Sequence, residues 1–439
     1  MRIAHIIPGS GGSFYCGNCL RDSELFKALR SQGNDAVKIP MYLPLFSHDA
    51  GRDMAPVFYG AVSLYLKQMY PALRKAPKWV DRLLNSRPVL GFAAGKAGST
   101  RASGLEEMTI SMLMGEEGQQ KEELDEMISW LEDHFNPDIV HISNALLLGL
   151  ARKLKERLKV PVVCSLQDEH IWVDPMDQGS RDKVWALMRE KVRDIDMFIA
   201  VSDYYSAFMK ERLQLGGERI RTLHLGVDPD DYHYQNATHK EMNIGFLSRL
   251  NKSNGLDILV DAFIILKKES GNEKTGLLLT GGQTGDDRAF IREQKQKLAA
   301  AGIDDSVEFI HDFDHSKRKE FLSRIRLLSV PVREGEAFGI YLIEAMACGI
   351  PVVQPDLGAF PEIIGNTGGG ITYPGSNNPA DLADALSGIL SDQKRTDEMS
   401  IKAREGVIKG FNIRKISGEL TGIYRELMAV KHKIAEYAG

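Results

Sequence analysis

Residues 336–348 read E-A-F-G-I-Y-L-I-E-A-M-A-C and run directly into G-I-P-V-V. From Ile340 to Cys348 the pattern predicts a nearly all-apolar helix in which Glu344 is the only charge. A carboxylate in such a helix is expensive to bury unless polar partners meet it, which makes Glu344 a candidate binding residue. Glu336 lies eight residues earlier, just before the helix start marked by Gly339. The N–H groups at a helix N-terminus favour a phosphate. Two acids bracketing such a terminus suit a ligand that carries both hydroxyls and a diphosphate, as a nucleotide-sugar does. The bland alternative is an amphipathic helix with accidental glutamates. It fits poorly with the apolar surroundings of Glu344 and the small-residue run A-M-A-C-G.

Outward from this stretch, short apolar runs alternate with longer segments of helical pattern, the signature of a parallel α/β sheet. Strands are expected at residues 3–7, 138–142, 160–166, 197–201 and 221–225, and in a second series at 242–247, 276–280, 307–310, 327–330, 351–354 and 370–373. The polar, turn-rich stretch 226–240 separates the two series and reads as a linker. The expected organisation is an N-terminal domain over 1–225, a C-terminal domain over 241–412 and a closing helix over 413–439 that returns to the first domain. Two such domains would face each other across a cleft at their strand carboxyl ends, where open α/β sheets bind ligands. Residues 59–113 break the alternation and read as a helical insertion in the first domain.

Bulk composition agrees. A chain of 439 residues is long for one domain, and 43% hydrophobic with 26% charged residues describes a globular protein. No stretch approaches the roughly 20 apolar residues of a membrane-spanning helix. The run M-R-I-A-H-I-I-P is too short for a signal peptide, so a cytoplasmic protein is expected. The net charge of -5 argues against nucleic acid as a partner. Four cysteines, of which only Cys16 and Cys19 are close, indicate neither a disulfide framework nor a four-cysteine zinc site. Their C-x-x-C spacing at a helix start is also a redox placement, but packed free thiols beside the glycine loop are the simpler reading.

The stretch E-G-E-A-F-G-I-Y-L-I-E-A-M-A-C-G-I-P-V-V from Glu334, with G-A-F-P-E-I-I from Gly358, resembles the donor-binding core of the retaining GT-B glycosyltransferases of family 4. Weaker motifs follow in the family's order: G-S-G-G at 9–12, D-I-V-H at 138–141, V-S-D at 201–203, G-V-D at 226–228, S-R-L at 248–250 and I-Y-R-E-L-M at 423–428. The resemblance covers nearly the whole chain except residues 59–113. It implies the GT-B architecture of two Rossmann-like domains, and transfer of a hexosyl unit from a nucleotide-diphosphate sugar to an acceptor hydroxyl with retention.

The resemblance also implies roles. Arg249, Lys252 and the N–H groups of Gly11 and Gly12 would meet the leaving diphosphate. Glu336 would hold donor-sugar hydroxyls, Glu344 the ribose, and the backbone of Ala337, Phe338 and Gly339 would add contacts. The family usually carries a lysine five residues after the arginine, but position 254 here is Asn. Asp168 is a candidate on the acceptor hydroxyl, and His170 a substitute for the family's usual imidazole. Cys16 and His141 are further acceptor-side candidates.

No cofactor and no metal are expected, since the D-x-D triplets at 194–196, 228–230 and 312–314 lie in a pre-strand turn, the linker and a loop. The acceptor would be a glycan, a small molecule or a lipid-linked hydroxyl. Lys67, Arg74, Lys75, Lys78 and Arg82, with Trp79, suggest peripheral contact with the inner membrane face or a cover over the acceptor site. Two alternatives stand beside this reading. One is a nucleotide-sugar epimerase on the same fold. The other, motivated by Asn254, is a non-catalytic sugar-nucleotide binder.

Overall fold

The computed structural model describes residues 1–8, 15, 17–41, 58 and 105–438, with the side chains of residues 19 and 432–438 outside the description. Gly11, Gly12, Cys16 and the basic cluster at 67–82 therefore lie outside the described residues. The chain divides into two compact units. The first comprises Met1–Gly12, Asp22–Leu223 and Ser417–Gly439. The second comprises Ser13–Arg21 and His224–Ile416.

The first unit holds a parallel sheet of β1 (Arg2–Ile7), β2 (Asp35–Pro40), β3 (Ile139–Ile142), β4 (Val162–Leu166), β5 (Met197–Ala200) and β6 (Ile220–Thr222), in the order β2-β1-β3-β4-β5-β6. Strands β3, β4 and β5 are buried at every position, as expected for a sheet covered on both faces. Five of these strands lie where the apolar runs predict them. The sixth, β2, was not anticipated. Its sequence D-A-V-K-I-P carries a lysine inside the apolar run, which masks the strand pattern. Lys38 is only 4% exposed. Its ammonium meets the Ser23 hydroxyl at 3.3 Å and lies 4.6 Å from the centre of the Phe26 ring, partners supplied by the helix Gly17–Ser31.

The second sheet comprises β7 (Asn243–Leu247), β8 (Gly276–Thr280), β9 (Val307–Phe309), β10 (Leu327–Leu328), β11 (Val352–Pro355) and β12 (Gly370–Tyr373). Its order is β12-β11-β10-β7-β8-β9, all parallel. Winding runs outward from β7 through β8 and β9, then resumes from β10 on the other side of β7. The order reverses between β7 and β10, and the crevice at the carboxyl ends of two such strands is where doubly wound sheets bind ligands.

The helix Ile340–Ala347 follows β10 and is buried at all eight positions. The closing helix Ile413–Ala438 contributes Ser417 onward to the first unit. Tyr424 is fully buried there, and its hydroxyl lies 2.5 Å from Nδ1 of His141. No described helix is long and apolar enough to cross a membrane.

Candidate functional site

Arg249 leaves the carboxyl end of β7, and Glu336 lies on the segment that follows β10. The two candidate groups therefore issue from the strands that flank the reversal of the second sheet. Arg249 is nearly buried, with 11% of its side chain exposed, and it is held in place. Its Nε donates to Oδ2 of Asp287 at 2.8 Å, and Nη2 donates to Oδ1 of Asp287 at 3.0 Å and to the Thr284 hydroxyl at 2.7 Å. Burial alone would raise the Asp287 pKa, but the bonds from Arg249 and Thr284 outweigh it and hold the carboxyl below its usual value. This fork-to-fork pair fixes the guanidinium plane.

Asn254, where a lysine was expected, staples the loop that carries Arg249. Its amide donates to the Ser248 hydroxyl at 2.9 Å and to the Arg249 carbonyl at 3.0 Å, while its backbone N–H donates to the Asn251 side chain at 2.8 Å. Lys252, on the same loop, is exposed.

Glu336 is half-buried. Around it the backbone runs through three glycines in the left-handed region, at φ +78° for Gly335, +85° for Gly339 and +58° for Gly358. Gly335 and Gly358 lie backbone to backbone, and a Cβ on Gly358 would come within 2.6 Å of the Glu336 main chain. The Ala359 N–H donates to the Glu336 carbonyl at 3.1 Å. Only glycine admits this approach, which ties the G-A-F-P-E segment to the Glu336 turn. Gly339 caps the helix Ile340–Ala347 without a side chain, and an added Cβ there would come within 3.3 Å of the Glu336 carboxylate, so the helix start adjoins Glu336. Ala337 and Phe338 are buried, and the Phe338 ring packs against Phe411 at 5.9 Å between centres.

Glu344 is fully buried, and both its oxygens are engaged. Oε1 accepts from the Tyr232 hydroxyl at 2.9 Å and from Nε of Arg318 at 3.2 Å. Oε2 accepts from the Tyr15 hydroxyl at 2.5 Å. Tyr15 belongs to the short segment grouped with the second unit, and its backbone N–H donates to the Gly281 carbonyl at 2.7 Å. Burial, followed by the charge of Glu344, pushes the Tyr15 phenol well above its ordinary pKa, so it is a proton donor throughout the working range. Arg318, 10% exposed in its side chain, supplies the cation that a carboxylate at this depth needs.

In the first unit, Asp168 follows β4 and adopts φ +58°, ψ 22°, a conformation rare outside glycine. The turn is clamped by Glu169, which is fully buried. Glu169 accepts from the N–H groups of Ala145 at 2.9 Å and Gln167 at 2.9 Å and from the Tyr205 hydroxyl at 2.7 Å. Local strain that surrounding structure over-determines is a recurrent mark of functional turns. His170 lies 3.3 Å from the Tyr205 hydroxyl, and burial depresses its pKa, so the imidazole is neutral at pH 7. His141, by contrast, is 1% exposed. Its nitrogens meet Tyr424 and, at 2.8 Å, Ser165, and its ring stacks on His5 at 5.0 Å. It anchors the closing helix inside the unit and is not presented to an acceptor.

Four of the six D-x-D carboxylates are engaged in structural bonds. Asp196 accepts from Lys155 at 2.6 Å and from the Val162 N–H at 2.8 Å, Asp228 and Asp230 pair with Arg414, and Asp314 caps the helix His315–Ser323. Among the described residues, no group of three or more His, Cys, Asp or Glu side chains is placed to hold a metal ion.

Residues 230–406 match the model for glycosyl transferases group 1, and residues 120–231 match that for glycosyltransferase family 4. The chain belongs to this glycosyltransferase family. It is 30% identical to the lipopolysaccharide core biosynthesis mannosyltransferase LpsB of Rhizobium meliloti, over 42% of this chain and 52% of that protein. It thus spans about half the length of that relative. It is 26% identical to the N-acetyl-alpha-D-glucosaminyl L-malate synthase of Bacillus anthracis, over 67% of this chain and 76% of that protein. Among solved structures, Anabaena HepE in complex with UDP and glucose superposes with a TM-score of 0.68 at 16% identity, covering 97% of this chain and 100% of that one. That likeness establishes the GT-B fold.

Sequence reasoning did not find Asp287, Tyr15, Tyr232, Arg318, Glu169 or Tyr205. Each except Glu169, which clamps the turn at Asp168, is a partner of a residue that it did find. The fold draws Asp287 onto Arg249 from 38 positions away and Tyr15 onto Glu344 from 329 positions away. No local spacing signals contacts of that range.

Proposed function

We propose that the chain is a retaining, metal-independent hexosyltransferase that uses a nucleotide-diphosphate sugar. The observation that carries this is the emergence of Arg249 and Glu336 from β7 and β10, on either side of the strand-order reversal. HepE, of the same fold, was solved with UDP and glucose, and the relatives above are named for sugar transfer or sugar conjugation. In this reading Arg249 and the N-terminus of the helix Ile340–Ala347 stabilise the negative charge that develops on the leaving diphosphate. Glu336 accepts hydrogen bonds from donor-sugar hydroxyls, and Glu344 from ribose hydroxyls. The bond from the anomeric carbon to the diphosphate oxygen breaks as the acceptor oxygen bonds on the same face, and the acceptor proton passes to the departing phosphate. Asp168 and the neutral His170 orient the acceptor.

Transfer and donor hydrolysis, assayed with a panel of nucleotide-sugars with and without EDTA, test this reading. Glu336→Gln is expected to lower turnover by about tenfold or more while leaving nucleoside-diphosphate affinity unchanged, because only the sugar loses a charge-assisted bond. Asp168→Asn is expected to slow transfer and spare hydrolysis. Loss of activity in EDTA with rescue by manganese would reject the metal-independent mechanism. Rearranged sugar in the absence of any acceptor would instead support an epimerase.

The acceptor is a glycan, a small molecule or a lipid-linked hydroxyl, and peripheral membrane contact through the basic residues at 67–82 belongs to the same proposal. Each basic residue near an anionic surface contributes about 1 kcal/mol, screened by salt. Co-sedimentation with anionic vesicles at low salt, lost at high salt and after Gln replacement of the five basic residues, is the expected result. Absence of binding at low salt returns the segment to a packing role.

A further inference from the structure

We infer that Tyr15 is a displaceable occupant of the Glu344 carboxylate, so that a nucleotide gains the ribose-binding acid only by expelling the Tyr15 hydroxyl. This regulation of the site rests on the assignment of Glu344 to ribose. The two carboxylate oxygens are unequal. Oε1 is held from two directions, by Tyr232 at 2.9 Å and by Arg318 at 3.2 Å. Arg318 is further fixed by a 3.2 Å contact with Nδ1 of His315. Tyr232 and Arg318 thus act as positioning residues that aim the carboxylate. Oε2 accepts only from Tyr15 among the described residues.

A ribose diol offers two O–H donors, and a carboxylate with one oxygen committed can serve it mainly through the other. The Tyr15 phenol stands on that oxygen with the same chemistry that a ribose hydroxyl would bring. Glu344 is 0% exposed and Tyr15 only 8%, so no ligand reaches Oε2 while the phenol stays.

The placement of the neighbouring residues supports this assignment. The Tyr15 backbone is tied to Gly281, which follows the carboxyl end of β8, the ligand end of the second sheet. Gly17 lies against the first residue of the glutamate-bearing helix, where an added Cβ would come within 3.2 Å of Ile340. Gly17 therefore lies against the helix start where the donor is proposed to bind, and Tyr15 is bonded to the glutamate within that helix. Among the described residues, Tyr15 is held by its hydroxyl bond to Glu344, its backbone bond to Gly281 and the Arg318 guanidinium 5.7 Å from its ring centre, whereas the Tyr232 and Arg318 bonds to the carboxylate fall on the other oxygen.

The test is calorimetric titration of the full chain and Tyr15→Phe with UDP, GDP and ADP, and with the 2′,3′-dideoxy form of whichever binds the full chain best. Phenylalanine keeps the ring and removes the competing hydroxyl. Affinity is expected to rise about tenfold, the weight of one lost charge-assisted competitor. Tyr15→Leu, which removes the ring as well, is expected to give an equal or larger rise and guards against an idiosyncratic folding defect in the first variant. Unchanged or weaker binding in both variants overturns the proposal and makes Tyr15 a structural or ligand-contacting residue. The dideoxy probe judges the underlying assignment separately. If the unsubstituted chain binds the dideoxy and ribose forms equally, Glu344 does not hold ribose. If it prefers the ribose form while both Tyr15 variants show no gain, the assignment stands and the displacement fails.

Discussion

Replacing Arg249 with alanine is expected to lower turnover by about 100- to 1000-fold, equivalent to about 2.7–4 kcal/mol of transition-state stabilisation. The guanidinium lies at the end of β7 with its plane set by Asp287 and Thr284, so it need not reorganise as charge develops on the leaving phosphate. Loop collapse is a weak alternative explanation for such a loss. Asp287 keeps bonds from the N–H and hydroxyl of Thr284 after the substitution, and Asn254 still staples the loop. Arg249→Lys should recover only part of the rate, because an ammonium cannot form the two parallel bonds to Asp287 and will be less well placed. Lys252→Ala, at an exposed position of the same loop, should change turnover by no more than about threefold. Equal, large losses in Arg249→Ala and Lys252→Ala would show that Lys252 shares the leaving-group charge.

The second large effect is on stability. Glu344→Ala should destabilise the second unit by about 3–5 kcal/mol, because it strands the Arg318 cation in a buried site. The same change leaves the Tyr15 and Tyr232 hydroxyls without their acceptor. Thermal and urea unfolding of the full chain read the loss directly. Glu344→Gln should cost less, since an amide oxygen still accepts from one or two of the three donors. The double replacement Glu344→Leu with Arg318→Met should recover much of the stability, as apolar isosteres of a buried pair often do. It should not recover all of it, because the two tyrosine hydroxyls remain unpaired. Unaltered unfolding in Glu344→Ala would show that the pair carries no net weight and that Arg318 finds water in this site. Because Glu344 combines a structural load with its proposed ribose contact, loss of activity in its variants is interpretable only beside these unfolding curves.

Much of the architecture was legible in the chain because parallel strands covered on both faces are written as continuous apolar runs. Eleven runs read that way correspond to strands of the two sheets, with ends that agree to within three residues. The exception, β2, hides because Lys38 interrupts it, and only the folded helix Gly17–Ser31 supplies the hydroxyl and ring that make a buried lysine tolerable there. The helix Ile340–Ala347, its glycine start and the placement of Glu336 before it were likewise local, since a single positive-φ glycine and an unbroken apolar run define them.

The sequence by itself thus determined eleven of the twelve strands of the two sheets and the candidates Arg249, Glu336 and Glu344. Tertiary structure alone decided what each candidate is bonded to. It paired Arg249 with Asp287, surrounded Glu344 with Tyr15, Tyr232 and Arg318, and turned His141 inward onto Tyr424. The physical reason is range. Backbone conformation and burial periodicity are set by neighbours a few residues away, whereas the partner of a buried charge is whichever group the folded chain brings within about 3 Å, however distant in sequence.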